Sequence, residues 1–393
     1  MKQANIFDRH VDIALQCLDK HEPNKAFPPH LKSFYKANRK FGSKDRRRIG
    51  QLCYAWFRVG YSFSFLDKKQ QMILAYFLFA EVWLDWMDEV LSNFGLEVET
   101  WEKANIASRL NLLATKFGWD ISSCFPHAEM VSSQLDENQN IHYQFTQPKM
   151  WVRGKRNLDV DKLKRNLPEA VVHRYGGIGL PLGTSLKNLH LEHLVEIQDL
   201  SSQMVYNKID LSNVETVWDC CCASGGKSLN LLDRNQEITL YGSDNRKNII
   251  SNFLKRTSRH KNRIWSAIVD ARVPRKRISF ANNGKTKDVG TDFFDLILAD
   301  VPCSGSGTWN RNPEFKYCYN RDIKAYQDTQ KAIVDNAMRY LKLGGILCYT
   351  TCSIYQMENE DVVKSCGEIL ESGYIKGYEH QSDFMFYAFV KKN

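Results

Sequence analysis

Residues 300–307 read Asp-Val-Pro-Cys-Ser-Gly-Ser-Gly and residues 349–354 read Tyr-Thr-Thr-Cys-Ser-Ile, and these two stretches decide the fold. In each stretch the cysteine comes shortly after a run of apolar residues that is typical of a buried strand in a parallel sheet. Ligands of such sheets bind at the carboxyl ends of the strands. The sequence therefore predicts that Cys303 and Cys352 end neighbouring strands and converge on one substrate atom.

The residues around these two cysteines distinguish them from ordinary core cysteines. Free cysteine is one of the most frequently buried residue types, so packing is the usual explanation for a cysteine after a strand. Here Pro302 precedes Cys303, a glycine-rich turn follows it, and a serine follows both cysteines. Such residues belong to loops at strand ends, which favours a reactive role for both thiols.

Length and composition limit the class of protein. A chain of 393 residues is expected to form two or three domains. Its 11 cysteines include three consecutive ones at 220–222 and lack the paired spacing of zinc sites, so we expect free thiols and no metal. We predict no signal peptide and no membrane span, hence a cytoplasmic protein. The net charge of +9 fits a nucleic-acid partner without requiring one.

Residues 1–140 show the periodicity of a helical domain. Apolar positions recur three to four residues apart between residues 6 and 18, and again between 49 and 57 and between 73 and 84. Ser43 is expected to cap the helix whose first turn carries the basic cluster at 44–48. Cations there oppose the helix dipole at a cost of about 0.3 to 1 kcal/mol each, which suggests an anionic partner. A solvated surface explains the cluster equally well.

The pattern changes after Gln147 to strand, helix and strand, at 150–153, 160–167 and 170–172. This indicates a small α/β subdomain, to which Arg153, Lys155 and Arg156 add positive charge. The later segment 272–292 is the most loop-like of the chain. It has few apolar residues and carries the basic residues Arg275, Lys276, Arg277, Lys285 and Lys287.

Strands and helices alternate regularly after Asn213. The first strand, at 216–220, leads through a turn into a helix, and the second strand ends at Asp244, 25 residues after Asp219. That spacing places Asp244 where an acidic side chain accepts both ribose hydroxyls of a nucleoside cofactor.

Aspartates also close the third and fourth strands, at Asp270 and Asp300. Aspartate disfavours strands, so packing does not explain this repetition.

The first turn indicates which nucleoside is bound. Residues 225–228, Gly-Gly-Lys-Ser, end like a phosphate-binding P-loop, but Cys221 stands where that motif has its first glycine. This argues against a nucleoside triphosphatase. The turn suits a cofactor with ribose and adenine but no phosphate, and S-adenosylmethionine is the obvious one.

These motifs together resemble the RNA cytosine-5 methyltransferases of the bacterial Fmu/Sun group. The cofactor turn of that family, Asp-x-Cys-Ala-Ala-Pro-Gly-Gly-Lys-Thr, corresponds to residues 219–228. Its Asp-x-Pro-Cys-Ser-Gly motif corresponds to 300–305, and its Thr-Cys-Ser and Glu-Asn-Glu motifs to 351–353 and 358–360. The resemblance runs from about residue 147 to the C-terminus, and residues 197–203 look like the start of the family's catalytic domain.

This chain departs from the family's cofactor turn at two positions, with Cys222 for alanine and Ser224 for proline. We expect these changes to loosen the turn and to affect cofactor affinity but not reaction type.

The resemblance implies a class I S-adenosylmethionine-dependent methyltransferase fold, which is α/β and Rossmann-like with a mostly parallel seven-stranded sheet. That catalytic domain would span 196–393, after the small α/β subdomain at 141–195, which is expected to bind RNA. The helical domain at 1–140, with its basic stretch at 44–46, looks like a NusB-like RNA-binding domain.

The resemblance also assigns roles to residues. Cys352 would add to carbon 6 of cytosine, because carbon 5 is too weak a nucleophile to take a methyl group unaided, and Cys303 would assist the later elimination. Asp300 would bind the base edge, and Lys227 is the cation expected to favour a thiolate. The residues expected to bind the cofactor are Cys221, Cys222, Ala223, Ser224, Gly225, Gly226, Lys227, Asp244, Asp270 and Asp300.

The implied partner is RNA, with rRNA favoured, and the target cytosine must be single-stranded or flipped out of a helix. A monomer is expected. Two alternatives remain: a DNA cytosine-5 methyltransferase, whose nucleophile would be Cys303, and a non-catalytic RNA-binding assembly factor that keeps the fold. The presence of Cys352 argues against the first, and retention of both cysteines with their aspartates argues against the second.

Overall fold

The computed structural model describes residues 2–22, 25–80, 82–155, 158–318 and 322–393. Arg156, one of the predicted basic residues, lies outside the described residues. The chain forms two compact units. The first comprises Met1–Glu129, Asp136–Gln147 and Trp309–Asn320, and the second comprises Met130–Leu135, Pro148–Thr308 and Arg321–Asn393. The segment after Trp309 thus joins the first unit, although it lies inside the range predicted for the catalytic domain, and the boundaries at 140 and 195 stay predictions.

The first unit is helical, as predicted from its periodicity. Val11, Ala14 and Leu52 lie on the predicted apolar faces and are fully buried in its core, whereas Ile6, also predicted there, is 37% exposed. The helices are α1 (Lys2–Asp19), α2 (Phe27–Ala37), α3 (Ser43–Val59), α4 (Lys68–Leu78), α5 (Trp86–Ser92), α6 (Val98–Lys103), α7 (Ile106–Phe117) and α8 (Glu137–Tyr143). Short 3-10 helices follow at Ile121–Cys124, Ala128–Met130 and Pro313–Cys318.

Two helix ends differ from the prediction. Gly42 is the N-cap of α3 and Ser43 is its first residue, so the capping role predicted for Ser43 was wrong. The Asp45 carboxylate accepts a hydrogen bond from the Gly42 N–H at 3.0 Å, and this acid in the first turn offsets the cations around it. The apolar run predicted between residues 73 and 84 is helical only in its first part. Helix α4 ends at Leu78, and Val82 beyond it is 68% exposed.

A four-stranded antiparallel sheet opens the second unit and confirms the predicted strand, helix and strand. Its strand order is β2-β3-β1-β4, and a small core that includes Val152, Ile178 and Leu180 packs beneath it. Two of its strands, β3 and β4, were not predicted. The elements are β1 (Met150–Gly154), α9 (Val160–Asn166), β2 (Val171–Val172), β3 (Gly177–Leu180) and β4 (Val195–Ile197).

The large sheet has nine strands within the described residues, in the order β12-β13-β11-β10-β5-β6-β7-β8-β9. The strands from β11 to β7 pair in parallel, and the outer strands are antiparallel. The strands are β5 (Thr216–Asp219), β6 (Thr239–Asp244), β7 (Ile264–Ile268), β8 (Ile278–Asn282), β9 (Lys285–Val289), β10 (Phe294–Asp300), β11 (Leu341–Thr351), β12 (Glu368–Ile375) and β13 (Met385–Lys391).

Helices pack around this sheet and connect its parallel strands. They are α10 (Leu200–Asn207), α11 (Gly226–Arg234), α12 (Lys247–Arg256), α13 (Ile323–Tyr340), α14 (Glu360–Val363) and α15 (Gly377–His380), with 3-10 turns at Ser258–Arg263, Ser306–Thr308 and Gln356–Glu358. All five strands predicted from the alternation are confirmed. The α/β class is confirmed as well. The sheet has nine strands within the described residues, two more than the seven predicted, and the additional ones pair antiparallel.

Two of the additional strands, β8 and β9, come from the segment predicted to be a loop. β8 and β9 form a hairpin joined by Asn283 and Gly284, whose φ angles of 48° and 79° suit the tight turn of a twisted hairpin. Ile278, Phe280 and Val289 from this hairpin are buried in the core. The loop prediction was therefore wrong, because alternating burial was masked by the basic residues on the exposed face of the strands.

Candidate active site

The two predicted cysteines meet in the structure. β10 and β11 are parallel neighbours, with Asp300 paired to Thr350, so the loops after both strands leave the same edge of the sheet. The Sγ atoms of Cys303 and Cys352 are 3.4 Å apart. The hydrogen bond with Cys352, burial and the Glu358 carboxylate all raise the pKa of the Cys303 thiol well above its usual value. Cys303 therefore keeps its proton at neutral pH.

Glu358 holds the two cysteine loops against each other. Its carboxylate is fully buried and accepts hydrogen bonds from the Ser304 N–H at 2.8 Å and from the Ser304 and Ser353 hydroxyls at 2.5 Å. Gln330 Nε2 donates a further bond at 3.0 Å. Ser304 follows Cys303 and Ser353 follows Cys352, so one side chain fixes the residue after each thiol.

Asp300 and Lys227 form an ion pair between the cofactor turn and the cysteines. Lys227 Nζ donates to Asp300 Oδ2, and Thr350 Oγ1 donates to Asp300 Oδ1 at 3.1 Å. Burial alone would lower the pKa of Lys227, but the Asp300 carboxylate raises it. Lys227 therefore stays a cation beside Asp300, and its role in favouring a Cys352 thiolate stays a prediction.

The cofactor turn connects β5 to α11 through left-handed backbone. Ala223 has φ 43° and Gly225 has φ 83°. A Cβ atom on Gly225 would lie 2.8 Å from the Phe253 ring, so the turn requires glycine here for conformation and for space. Gly225 is the N-cap of α11, so backbone N–H groups at the start of this helix face the turn.

Asp219, the last residue of β5, is a buried acid at the base of this turn. Burial raises the pKa of its carboxyl to about 7, against the hydrogen bond from the Ser228 hydroxyl at 2.6 Å. Its Oδ1 is buried without a well-formed hydrogen bond among the described residues, although the Cys221 N–H lies near the carboxylate. An acceptor of this kind fits a ligand that brings a positive charge, as S-adenosylmethionine does.

The two departures in the turn have structural partners. Ser224 Oγ accepts a hydrogen bond from Arg256 Nη1 at 2.7 Å, so the serine is tied to α12 where the family has a rigid proline. Cys222 is 4% exposed and packs in the core, and its N–H donates to the Ser243 carbonyl at 2.9 Å. These contacts oppose the loosening that we expected from the sequence.

Asp244 and Asp270 lie at the ends of β6 and β7, and each pairs with the arginine two residues later. Arg246 donates to both carboxylate oxygens of Asp244, at 2.9 and 3.0 Å. Arg272 does the same for Asp270 and lowers the pKa of that carboxyl. Val269 N–H donates to the Asp244 carbonyl at 3.1 Å, which keeps the two strand ends together.

A cleft of about 280 Å³ joins the turn to Cys352. Of the predicted site residues, it brings together Cys222, Ala223, Ser224, Gly226, Lys227, Asp300 and Cys352. Cys221, Gly225, Asp244, Asp270 and Cys303 are not among the residues that line it. Asp199 also lines it, within a stretch that the sequence singled out as the start of the catalytic domain.

Sequence reasoning missed Thr308, Asp383, Phe384 and Met385, which line the same cleft. The last three precede or begin β13, whose antiparallel course beside β11 returns the C-terminal segment to the cysteines. The Phe384 N–H donates to the Gly307 carbonyl at 3.0 Å, next to the Cys303 loop. No motif or strand-end acid marks these residues, so only the strand pairing could have found them.

Two further searches of the described residues give negative findings. They contain no cluster of three His, Cys, Asp or Glu side chains arranged to hold a metal ion. None of the helices they form is both long and apolar enough to cross a membrane.

Comparison with known proteins identifies the class of this domain. Residues 207–371 match the model of the 16S rRNA methyltransferase RsmB/F family. Ribosomal RNA small subunit methyltransferase B of Vibrio vulnificus is 33% identical over 175 residues, 44% of this chain and 38% of that protein. Its namesake from Shewanella oneidensis is 28% identical over 227 residues, 56% of this chain and 50% of that protein. The chain thus spans half the length of these relatives or less.

Solved structures support the fold over a longer range. The crystal structure of PH0851 gives a TM-score of 0.66 at 19% identity and covers 98% of both chains. A methyltransferase homolog protein from Pyrococcus horikoshii gives 0.50 at 20% identity, covering 79% of this chain and 100% of that one. At such identities the likeness establishes the fold alone. Residues 207–371 therefore resemble the RsmB/F methyltransferases, and the chain has the fold of a class I S-adenosylmethionine-dependent methyltransferase.

Proposed function

We propose that this protein is an RNA (cytosine-5)-methyltransferase whose substrate is a cytosine of small-subunit rRNA. The observation that carries the proposal is the pair of thiols 3.4 Å apart at the ends of two parallel strands. A single nucleophile is enough to activate cytosine, so a second thiol at this distance calls for a second role. The names of the relatives from Vibrio vulnificus and Shewanella oneidensis support the choice of RNA.

The reaction begins with Cys352. Its thiolate forms a bond to carbon 6 of the base, which moves an electron pair to carbon 5 and makes that carbon a nucleophile. Lys227 favours the thiolate, and Asp300 accepts a hydrogen bond from the base edge. S-adenosylmethionine supplies the methyl group that carbon 5 takes. The neutral thiol Cys303 does not compete for carbon 6.

Elimination completes the reaction. The bond between carbon 6 and Cys352 Sγ breaks and its electron pair returns to sulfur, which takes the proton of the neutral Cys303 thiol 3.4 Å away. The Cys303 thiolate left behind accepts the proton of carbon 5, and the electron pair of that C–H bond forms the double bond between carbons 5 and 6. The thiols need reducing conditions, which a cytoplasmic location provides. The basic groups at 44–48 and 272–287 are proposed to contact the RNA backbone, and a monomer would suffice for this mechanism.

Trapping of the intermediate tests the two thiol roles. With RNA and S-adenosylmethionine, Cys303→Ala should add and methylate but stall at elimination, leaving a protein–RNA band on a denaturing gel. Cys352→Ala should give neither adduct nor product. Cys366→Ala is the matched control, since its thiol bonds only to the Val362 carbonyl and should behave like the unchanged protein.

The opposite pattern would exchange the roles of the two thiols. An adduct in Cys352→Ala with none in Cys303→Ala would favour the chemistry of the DNA enzymes. RNA binding without methyl transfer by the unchanged protein would favour the assembly-factor alternative.

A further inference from the structure

A second, larger cleft lies at the end of α11 that is remote from the cofactor turn. It has a volume of about 1070 Å³ and includes Asp233 and Arg234, the last residues of α11. At 1.5 Å per residue, α11 carries the chain roughly 12 Å from the turn to this cleft. The other charged or titratable residues that line the cleft, which we call the basic cleft, are Arg153, Lys155, His193, Arg259, His260 and Arg263.

Two carboxylates hold the cations of the basic cleft in fixed positions. Asp233 pairs with Arg153 and Arg259, each at 2.8 Å. Glu196 pairs with Lys155 at 3.1 Å and with Arg256 at 3.3 Å. Burial would raise the pKa of Glu196, but Lys155 and Arg256 lower it, so it is ionised. Four cations share two carboxylates here, and a positive surplus therefore remains.

Two other arginines of the basic cleft have a structural role. Arg234 donates to the carbonyls of Tyr206 and Ile209 at the end of α10, and Arg263 donates to those of Leu232 and Asn235 at the end of α11. They satisfy helix-terminal carbonyls that have no partner within the helix. A structural role therefore explains Arg234 and Arg263. It does not explain the surplus positive charge on Arg153, Lys155, Arg256 and Arg259.

Arg153 links the basic cleft to the active-site cleft. Its Nε donates to Gln198 Oε1 at 3.1 Å, and Gln198 lines the cleft that contains Cys352. Its Nη2 is buried and has no hydrogen-bond partner among the described residues. Arg256 makes a parallel link, because it contacts both Glu196 and the cofactor-turn residue Ser224. The cations thus run continuously from the cofactor turn to the basic cleft.

We propose that the basic cleft binds phosphate groups of the RNA strand a few nucleotides from the target cytosine. The proposal rests on the proposed function for its ligand. A separation of roughly 12 Å is short enough for one strand to reach from the target cytosine to the basic cleft within a few nucleotides. Guanidinium groups held in place bind phosphate oxygens through paired hydrogen bonds, and the Arg259 guanidinium, whose side chain is 36% exposed, supplies such donors.

Salt-dependent RNA binding tests the basic cleft. The double variant Lys155→Ala/Arg259→Ala removes two cations of the basic cleft that pair with its carboxylates, and Lys208→Ala/Lys364→Ala is the matched control because each of its lysines pairs with a carboxylate outside the cleft. The probe is a labelled single-stranded RNA of 20 nucleotides containing cytosines. We expect the first double variant to bind about tenfold more weakly at low salt. The slope of log affinity against log salt should fall by about 0.7 for each lost contact.

The control should keep both the affinity and the slope of the unchanged protein, and all variants should keep their affinity for S-adenosylmethionine. If the double variant fails to fold, Lys155→Glu alone should weaken RNA binding by a similar factor. Equal RNA binding by the double variant and its control would overturn the basic cleft and leave the proposed methyl transfer standing. If RNA binding depends on the basic cleft but no methyl group is transferred, the basic cleft would stand and the proposed methyl transfer would be overturned.

Discussion

Asp219 is a buried acid at the base of the cofactor turn, and its ionisation is expected to respond to a bound cofactor. Burial raises the pKa of its carboxyl to about 7, far above that of an unfolded aspartate. In the free protein this favours the protonated form, so the stability contribution of Asp219 is present below about pH 4 and is lost as pH rises toward 7. A positively charged cofactor reverses the preference, because it attracts the ionised carboxylate.

Cofactor affinity should therefore rise as pH increases across about pH 6 to pH 8, because the unliganded Asp219 loses its proton in that interval. Calorimetric titration with S-adenosylmethionine at several pH values measures this. Asp219→Asn cannot ionise, so the part of the pH dependence that Asp219 causes should disappear in that variant. The same slope in Asp219→Asn and in the unchanged protein would remove Asp219 from cofactor binding.

Asp244 is expected to hold the ribose of the cofactor. Its side chain ends β6 and is 6% exposed, with both oxygens already oriented by Arg246. Asp244→Ala should weaken cofactor binding at least tenfold, about 1.4 kcal/mol, through the loss of charge-assisted hydrogen bonds. Asp210→Ala, at an exposed aspartate outside the site, is the control for calorimetry. An unchanged affinity in Asp244→Ala would exclude the assignment.

Residue positions could be predicted where a strand end marks them. Cys303, Cys352 and Asp300 lie together because parallel strands end at one edge, a rule that the sequence alone can apply. Phe384 and Met385 could not be found in this way, because they reach the cleft through antiparallel pairing with a strand far away in sequence. The ionisation state of Cys303 also depends on contacts that only the folded chain brings together.

At the scale of elements, Glu358 joins the loops after β10 and β11. Among the described residues its hydrogen-bond donors are Ser304, Ser353 and Gln330, which are all uncharged, and they satisfy the buried carboxylate. The sequence showed a Glu-Asn-Glu motif here without a role for it. The structure indicates that Glu358 keeps the two thiols at their short separation.

Glu358→Ala should therefore damage both stability and thiol geometry. Leaving the Ser304 N–H and Gln330 amide buried without an acceptor should lower the free energy of unfolding by about 3 kcal/mol, measured by urea denaturation. We also expect little RNA adduct, even in a Cys303→Ala background. Glu379→Ala, at an exposed glutamate, should change neither. A Glu358→Ala protein with full stability and normal adduct would contradict the role given to this carboxylate.

The hairpin of β8 and β9 shows why an element can be missed. Lys285 and Lys287 lie in β9, where only Val289 is buried, and these charges lowered the apparent hydrophobicity of a segment that also contains the alternately buried β8. Asn283-Gly284 was the available signal, because this dipeptide favours the left-handed turn of a short hairpin. Composition therefore outweighed turn chemistry in the prediction.

At the scale of the whole molecule, the chain places a methyltransferase domain after a helical unit. The match to the family model covers 207–371, while the likeness in fold to PH0851 covers 98% of the chain. The domain class therefore follows from sequence motifs and comparison together. Which base is methylated and which RNA is bound depend on contacts that these motifs do not encode. The proposals for the base and for the RNA are therefore argued from the thiol pair and the charged surfaces.

Nucleoside analysis tests the central claim most directly. The full chain is incubated with small-subunit rRNA and S-adenosylmethionine carrying an isotopic label in its methyl group, and the RNA is digested and analysed by mass spectrometry. The account predicts labelled 5-methylcytidine with the unchanged protein and none with Cys352→Ala. Label on another base or on a ribose, or undiminished 5-methylcytidine with Cys352→Ala, would contradict it.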